Sequence, residues 1–487
     1  MLKKISFSIF CLLLMSCSSS VSTRGGVETM TSDISEVNFG GDENFRVGVL
    51  LPLTGKAAKH GQGMKNYTLM AMEDVKNPRL VLQFYDTQST PGGARIAVEN
   101  ALSQNVNMIL GPLMSSEVQA ITPETTYRSV PVIAFSTSEE VLQPGVYTLG
   151  LTVKEQVDRI ISYASLQGRQ RFALLLPDNN NGIATARAAI AAAGKAGTSV
   201  VRIAFYPPET NDFSEILKQL TDYNRRSTRL QKIKNSLQRR ADNGDAAAQK
   251  VLKRLDTLDT LGEVDFDAVL IPESGPRLKS AIAMFGYYDV FSPQVRFLGT
   301  SVWENTNLSR ETTVAGSWYP ALSRAYTAYF AGKYNDYFGE KPNSLYSFAY
   351  DGVALAAALS TQSRGDLTPA ITDPGGYSGI SGVFRLFPNG YNQHSLDIMQ
   401  VTSAGDKVVD AAPKKFSDLY YQPQSSEIVI DGTFKAPLIF GKDNGTAQRQ
   451  IFGHELDAQN QPTAYLSPEE DARITRKSLA KLRIVLP

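Results

Sequence analysis

The chain has 487 residues, 42% of them hydrophobic, and a formal net charge of +1. That is enough apolar content for two or three compact units with ordinary cores. The near-neutral balance supplies no broad basic field of the kind nucleic acid would need, and no acidic one for steering cations.

Lys3 and Lys4 precede the apolar stretch Ile5–Met15, which is too short to span a bilayer. A basic start, a short apolar run and small residues at its end mark a secretory signal over residues 1–16. The pattern Leu14-Met15-Ser16-Cys17 resembles the bacterial lipobox, which implies that Cys17 becomes the lipidated first residue. Cys11 is the other of two cysteines and lies in the expected signal, so no pair remains for a disulfide. Acyl chains on Cys17 would anchor the protein to a membrane at the periplasmic face. Ser18 after the cysteine favours the outer membrane. Residues 17–44 are rich in Ser, Thr, Gly and Glu and read as a flexible tether, with order expected from Phe45.

From there short apolar runs alternate with longer amphipathic stretches. Strands are expected at Arg46–Leu51, Leu80–Tyr85, Met108–Leu110 and Val130–Phe135. Helices are expected at Gly63–Lys76, Gly93–Gln104 and Ser116–Arg128. The pattern repeats with strands at Phe172–Leu176, Val200–Phe205, Ala268–Ile271 and Arg296–Leu298, and helices at Lys154–Gln167, Ile183–Ala196 and Pro276–Tyr287. Two successive βα blocks argue for an α/β fold of two doubly wound parallel-sheet lobes. Lobe 1 is placed at 45–150 plus 321–380, and lobe 2 at 151–320 plus 381–421.

The second block is interrupted by a helical insertion over 214–262. Within 218–254 there are eleven Lys/Arg against three Asp/Glu, and Asn243-Gly244 divides the segment into a helical hairpin. It reads either as a solvated basic face or as a docking surface for a partner or for anionic envelope polymers. Further on, helices are expected at Ala321–Phe338 and Ser344–Thr361. A strand at Ser381–Leu386 follows, then a hairpin of His394–Val401 with Lys407–Val409. A C-terminal extension, 422–487, suggests another hairpin (Glu427–Ile430 with Ala436–Phe440). It ends in a helix capped by Ser467, with Pro468 at its first turn.

Three strand ends break into small, hydroxyl-rich loops: Pro52-Leu53-Thr54-Gly55, Gly111-Pro112-Leu113-Met114-Ser115-Ser116 and Ser136-Thr137-Ser138. Ligands of open parallel sheets sit outside the carboxyl ends of the strands, and helix N-termini there favour anions such as carboxylates. These loops, with Tyr85-Asp86-Thr87 and Pro131-Val132-Ile133-Ala134-Phe135, resemble those of type I periplasmic binding proteins, specifically the leucine/isoleucine/valine-binding branch. The resemblance covers about residues 45–410. It implies two lobes joined by three crossings around a cleft, with Ser115 and Ser138 holding a ligand carboxylate and Ser136 offering its backbone. In the amino-acid binders of that family an acid after a strand of the second lobe holds the ammonium. Here Ser301 stands where that acid is expected, Glu304 comes three residues later, and Trp303 is bulky enough to fill the pocket. The expected cleft residues are therefore Thr54, Gly55, Ser115, Ser116, Ser136, Thr137, Ser138, Ser301 and Trp303.

A sub-branch shares more. Gly299-Thr300-Ser301-Val302-Trp303-Glu304, Ala315-Gly316-Ser317-Trp318-Tyr319-Pro320 and Ser347-Phe348-Ala349-Tyr350-Asp351-Gly352, together with the lipobox, resemble lipoprotein activators of penicillin-binding proteins. That resemblance implies a non-enzymatic regulator of peptidoglycan synthesis whose partner is a penicillin-binding protein. The alternative is the substrate-binding protein of an ABC importer, with a permease as partner and a branched-chain amino acid or related small carboxylate as ligand.

Catalytic signatures are missing from the sequence. His60, His394 and His454 are far apart and lack ligand-spaced partners, so neither a metal nor another cofactor is expected. Gly61-Gln62-Gly63 lacks the third glycine of a dinucleotide fingerprint, and Gly376-Tyr377-Ser378-Gly379 is followed by Ile380 rather than completing a nucleophile elbow. Glu139-Glu140 and Glu469-Glu470 read as solvated acids.

Overall fold

The computed structural model describes residues 44–339, 343–361 and 365–416, together with the strand Glu36–Asn38. The expected signal peptide, Cys17 and the C-terminal extension lie outside the described residues.

Lobe 1 is built on a six-stranded sheet. Its strands are β1 (Glu36–Asn38), β2 (Phe45–Leu51), β3 (Leu80–Asp86), β4 (Met108–Leu110), β5 (Val132–Ala134) and β6 (Val146–Thr148). They lie in the order β1-β3-β2-β4-β5-β6, and all pairings except β1 with β3 are parallel. Val47 to Leu51 are buried, with Val47, Val49 and Leu51 toward one side of the sheet and Leu50 toward the other, as a sheet covered on both faces demands. Helix α1 (Ala58–Val75) covers one face, and α2 (Pro91–Ser103) and α3 (Ser115–Tyr127) cover the other. Order begins earlier than expected, because Glu36–Asn38 of the anticipated tether pairs antiparallel with β3.

Lobe 2 repeats the plan. Helices α4 (Val153–Leu166) and α5 (Asn180–Lys195) pack on one face of a sheet containing β7 (Arg171–Pro177) and β8 (Ser199–Tyr206). Then come α6 (Ser214–Leu220), α7 (Tyr223–Asp242), α8 (Ala246–Leu255), β9 (Ala268–Leu270), α9 (Gly275–Tyr287), β10 (Arg296–Leu298) and β11 (Trp318–Leu322). The parallel order is β8-β7-β9-β10-β11. The chain then returns to lobe 1 through α10 (Arg324–Phe338), α11 (Ser347–Leu359) and α12 (Thr368–Ile371), of which α11 packs along α1. A small antiparallel sheet, β12 (Tyr377–Gly379), β13 (Gly382–Leu386) and β14 (Asn392–His394), sits on the same core through Phe384 and Leu386. Finally β15 (Leu396–Gln400) pairs antiparallel with β11, and β16 (Lys407–Asp410) pairs antiparallel with β15 at the edge of the lobe 2 sheet.

The chain therefore crosses between lobes near residues 149–152, 322–324 and 394–396. Two of the expected boundaries move. Ala321 and Leu322 belong to β11 rather than to a helix, and residues 381–394 pack with lobe 1 rather than lobe 2. His394 ends the small sheet and does not share a strand with Val401.

The insertion is a helical hairpin, as its composition implied. Gly244 turns it with a left-handed φ of +87°, its N–H reaching Ala241 O at 2.9 Å. Two buried arginines root it. Arg202 of β8 binds Asp265 bidentately at 2.5 and 2.9 Å and Leu220 O at 2.9 Å. Arg226 of α7 donates to Gly262 O (2.9 Å), Tyr288 O (3.0 Å) and Thr260 Oγ1 (2.7 Å). Burial lowers the Arg226 pKa, and Asp289 opposes that fall.

Candidate ligand-binding cleft

In each lobe the strand order reverses direction at one place: between β2 and β4 in lobe 1, and between β7 and β9 in lobe 2. Loops leaving the carboxyl ends diverge there and open a crevice. The two crevice edges face each other. Asn180 Nδ2, at the start of α5, donates to Glu140 Oε1 at 2.9 Å, and the Lys154 N–H donates to Glu139 Oε1 at 2.9 Å. Ser344 Oγ donates to Glu304 Oε2 at 3.1 Å. Glu139 and Glu140 are thus inter-lobe ties and not simply solvated. Burial raises the Glu139 pKa, against the bond from Lys154 N–H.

Lobe 1 uses most of its hydroxyls internally. Asp86, ending β3, accepts from Leu53 N–H (2.9 Å), Thr54 N–H (3.1 Å), Thr54 Oγ1 (2.6 Å) and Gln88 N–H (2.8 Å). Burial pushes its carboxyl up, but the four bonds together hold it below the ordinary value. Thr54 is therefore tied down beside Gly55, whose φ is +82°. Ser136 Oγ accepts from Ser138 N–H at 3.2 Å, and Ser136 O accepts from Thr148 Oγ1. Ser138 Oγ accepts from Glu140 N–H at 3.4 Å and caps the short turn that follows. Ser116 and Thr137 are exposed.

Ser115 differs. It is half-buried at the first turn of α3, and its hydroxyl has no hydrogen-bond partner among the described residues. Two residues on, Glu117 is fully buried, accepting from Thr87 Oγ1 at 2.9 Å and Met114 N–H at 3.4 Å. Its burial raises the pKa and so disfavours negative charge under the Ser115 turn.

Lobe 2 corrects the sequence reading. Trp303 is 0% exposed and does not line the cleft. Its ring packs on Gly299, where an added Cβ would lie 2.2 Å away, and its Nε1 donates to Ile271 O at 3.0 Å. Ser301 N–H donates to Gln156 Oε1 of α4 at 2.9 Å. One acid at a lobe 2 strand end that the sequence reading did not consider is Glu273, which follows β9 at the reversal point. Glu273 Oε2 accepts from Tyr206 OH at 2.8 Å and lies 3.2 Å from Arg277 NH2. Sequence reading passed over it because Tyr206 is 67 residues away; Pro272-Glu273-Ser274-Gly275 after an apolar run was the available signal.

Residues 44–226 match the model of the family described as periplasmic binding protein. No protein of curated function matches the chain. An ABC transporter substrate-binding protein from Sphaerobacter thermophilus superposes with a TM-score of 0.57 at 18% identity, covering 78% of this chain and all of that one. A solute-binding protein from Rhodopseudomonas palustris, in complex with 3,4-dihydroxybenzoic acid, gives 0.52 at 17% identity, with 77% and 97% covered. A branched-chain amino acid transporter substrate-binding protein from Streptococcus pneumoniae, in complex with isoleucine, gives 0.50 at 15%, with 77% and 100% covered. The chain has the type I periplasmic binding protein fold. At these identities the solved structures establish architecture alone. The matched family consists of binding proteins, and the two lobes and three crossings implied by the sequence resemblance are present.

Proposed function

We propose that this chain is a periplasmic solute-binding protein that holds a small carboxylate between its lobes and presents it to an ABC permease. The observation that carries this reading is Ser115. Its unpartnered hydroxyl stands at the N-terminal turn of α3, at the lobe 1 reversal point, where backbone N–H groups and the helix dipole favour an anion. Isoleucine and 3,4-dihydroxybenzoic acid, held by two proteins of the same architecture, are both carboxylic acids. Glu273 would face an amino group only by exchanging Arg277, so non-amino carboxylates are favoured over amino acids. The site works by binding, without catalysis, and Cys17 would tether it to the envelope.

Isothermal calorimetry on the full chain with isoleucine, leucine, benzoate and 3,4-dihydroxybenzoate tests this. Micromolar binding, about −8 kcal/mol, is expected for at least one acid, weakened at least tenfold by Ser115→Ala. Silence across the panel would remove the reading.

A second reading is favoured by the same acid. With Glu273 already neutralised and Glu140 tied to Asn180, the domain also suits a protein-contacting role as an activator of a penicillin-binding protein. Co-purification of a penicillin-binding protein, retained in Ser115→Ala, would support that reading instead.

A further inference from the structure

The α7–α8 hairpin is the largest feature that the cleft does not use. On α7, Arg225, Arg229, Lys232 and Arg239 recur at i, i+4, i+7 and i+14, and all four are exposed. At 100° per residue they fall within about 40° of one line, over about 21 Å of helix. Arg226, Leu230 and Ala241, the buried residues of the helix, lie on the opposite side. Arg225 pairs with Asp222 at 2.6 Å. Arg229, Lys232 and Arg239 have no partner among the described residues, nor do Lys250, Lys253 and Arg254 on the exposed side of α8. A groove of about 590 Å³ runs along α7, lined by Asn224, Arg225, Thr228, Arg229, Lys232 and Ile233.

We propose that this hairpin is a docking site for a linear anionic polysaccharide, whose acidic groups bind the cationic stripe of α7. Three observations select that occupant. Exposed cations stand on both packed helices, so the charge extends along the hairpin and complements an extended polyanion. Among the described residues no aromatic lines the groove, so they offer neither the stacking platform of single-stranded nucleic acid sites nor the aromatic anchor of a protein interface. Asn224 and Thr228 flank the cations in the same groove and can bond sugar hydroxyls. The stripe acts as a row of separate point charges in solvent, so the interaction weakens as salt rises.

The test uses the full chain, with polygalacturonate as the acidic polysaccharide, dextran as the neutral one and phosphatidylglycerol vesicles as the bilayer. Saturable binding to polygalacturonate is expected, with none to dextran and at least tenfold weakening between about 50 and 300 mM NaCl. Arg229→Gln/Lys232→Gln removes two cations without breaking an ion pair of the described residues, and weakens binding at least fivefold. Arg225→Glu/Arg229→Glu/Lys232→Glu abolishes it, with the thermal melt of both variants recorded alongside. Equal binding to dextran, full affinity in the glutamine variant, or binding to vesicles but not to polygalacturonate would overturn the proposal.

Discussion

Asp351 of α11 shows how one buried carboxylate fixes a joint. It accepts from Ile380 N–H at 2.7 Å, Ser381 N–H at 3.0 Å and the Ser381 hydroxyl, clamping the start of the small sheet to lobe 1. Full burial raises its pKa to about 6, despite those bonds and the nearby His394. A raised acid keeps its proton longer when folded, so its contribution to stability is greatest at low pH and is lost as pH rises from about 4 through about 6. The stability of the wild type minus that of Asp351→Asn should therefore fall by something on the order of 3 kcal/mol across that window, measured by urea melts. A constant difference would show that the group titrates alike in both states. Gly299 makes a second case. Its Cβ would lie 2.2 Å from the Trp303 ring, so Gly299→Ala should cost about 2 kcal/mol or more by overpacking. A melt within a degree of wild type would contradict that. Trp303 and Glu273 also mark where the sequence was hard to read. Burial of Trp303 depends on Gly299 and Tyr319, and the setting of Glu273 depends on Tyr206, contacts that local spacing does not reveal.

At the scale of elements, the long periodic stretches were legible: α4, α5, α9 and the split basic insertion stand within a few residues of expectation, and α1 begins five residues earlier than expected. The elements overlooked were short or broke a local rule. β6 has three residues. β11 contains Pro320, which lacks an N–H for the ladder yet sits opposite Ile398 of β15, two residues beyond the Trp318 pairing with β10. β6 consists of strand-favouring Val, Tyr and Thr and is too short to show an alternation, so only in β11 does packing override a local preference. The insertion's attachment makes its own prediction. Arg226 satisfies carbonyls from residues on three sides of the hairpin root, and removing it leaves buried acceptors unpaired at about 1–3 kcal/mol each. Arg226→Ala should speed amide exchange over residues 223–255 at least tenfold while β7 and β9 remain protected. Simultaneous loss of protection in β7 would mean that the hairpin and the lobe 2 sheet open as one unit.

For the molecule as a whole, hydrogen bonds among the described residues tie the edges of the cleft together. Glu140–Asn180 and Glu304–Ser344 each contribute about 1 kcal/mol on general grounds. Asn180→Ala/Ser344→Ala should shift the balance of lobe arrangements by about 2 kcal/mol, roughly thirtyfold, toward wider separation. A larger radius of gyration by small-angle scattering is the expected result, and an unchanged curve would assign the arrangement to the crossings instead. The order in which the chain visits its lobes has a consequence for biosynthesis. The sheet of lobe 2 lacks its neighbour to β11 until residues 396–400 have emerged, and the first block of lobe 1 lacks α11 until residue 359. Neither half can close its core on the nascent chain before most of the protein has been made. The apolar face around Val47, Leu82 and Leu110 is covered by α1 but lacks α11 until some two hundred further residues have been made. The protein should lean on holding chaperones until its synthesis is complete, and a version cut after Leu322 should be degraded rather than survive as a working half.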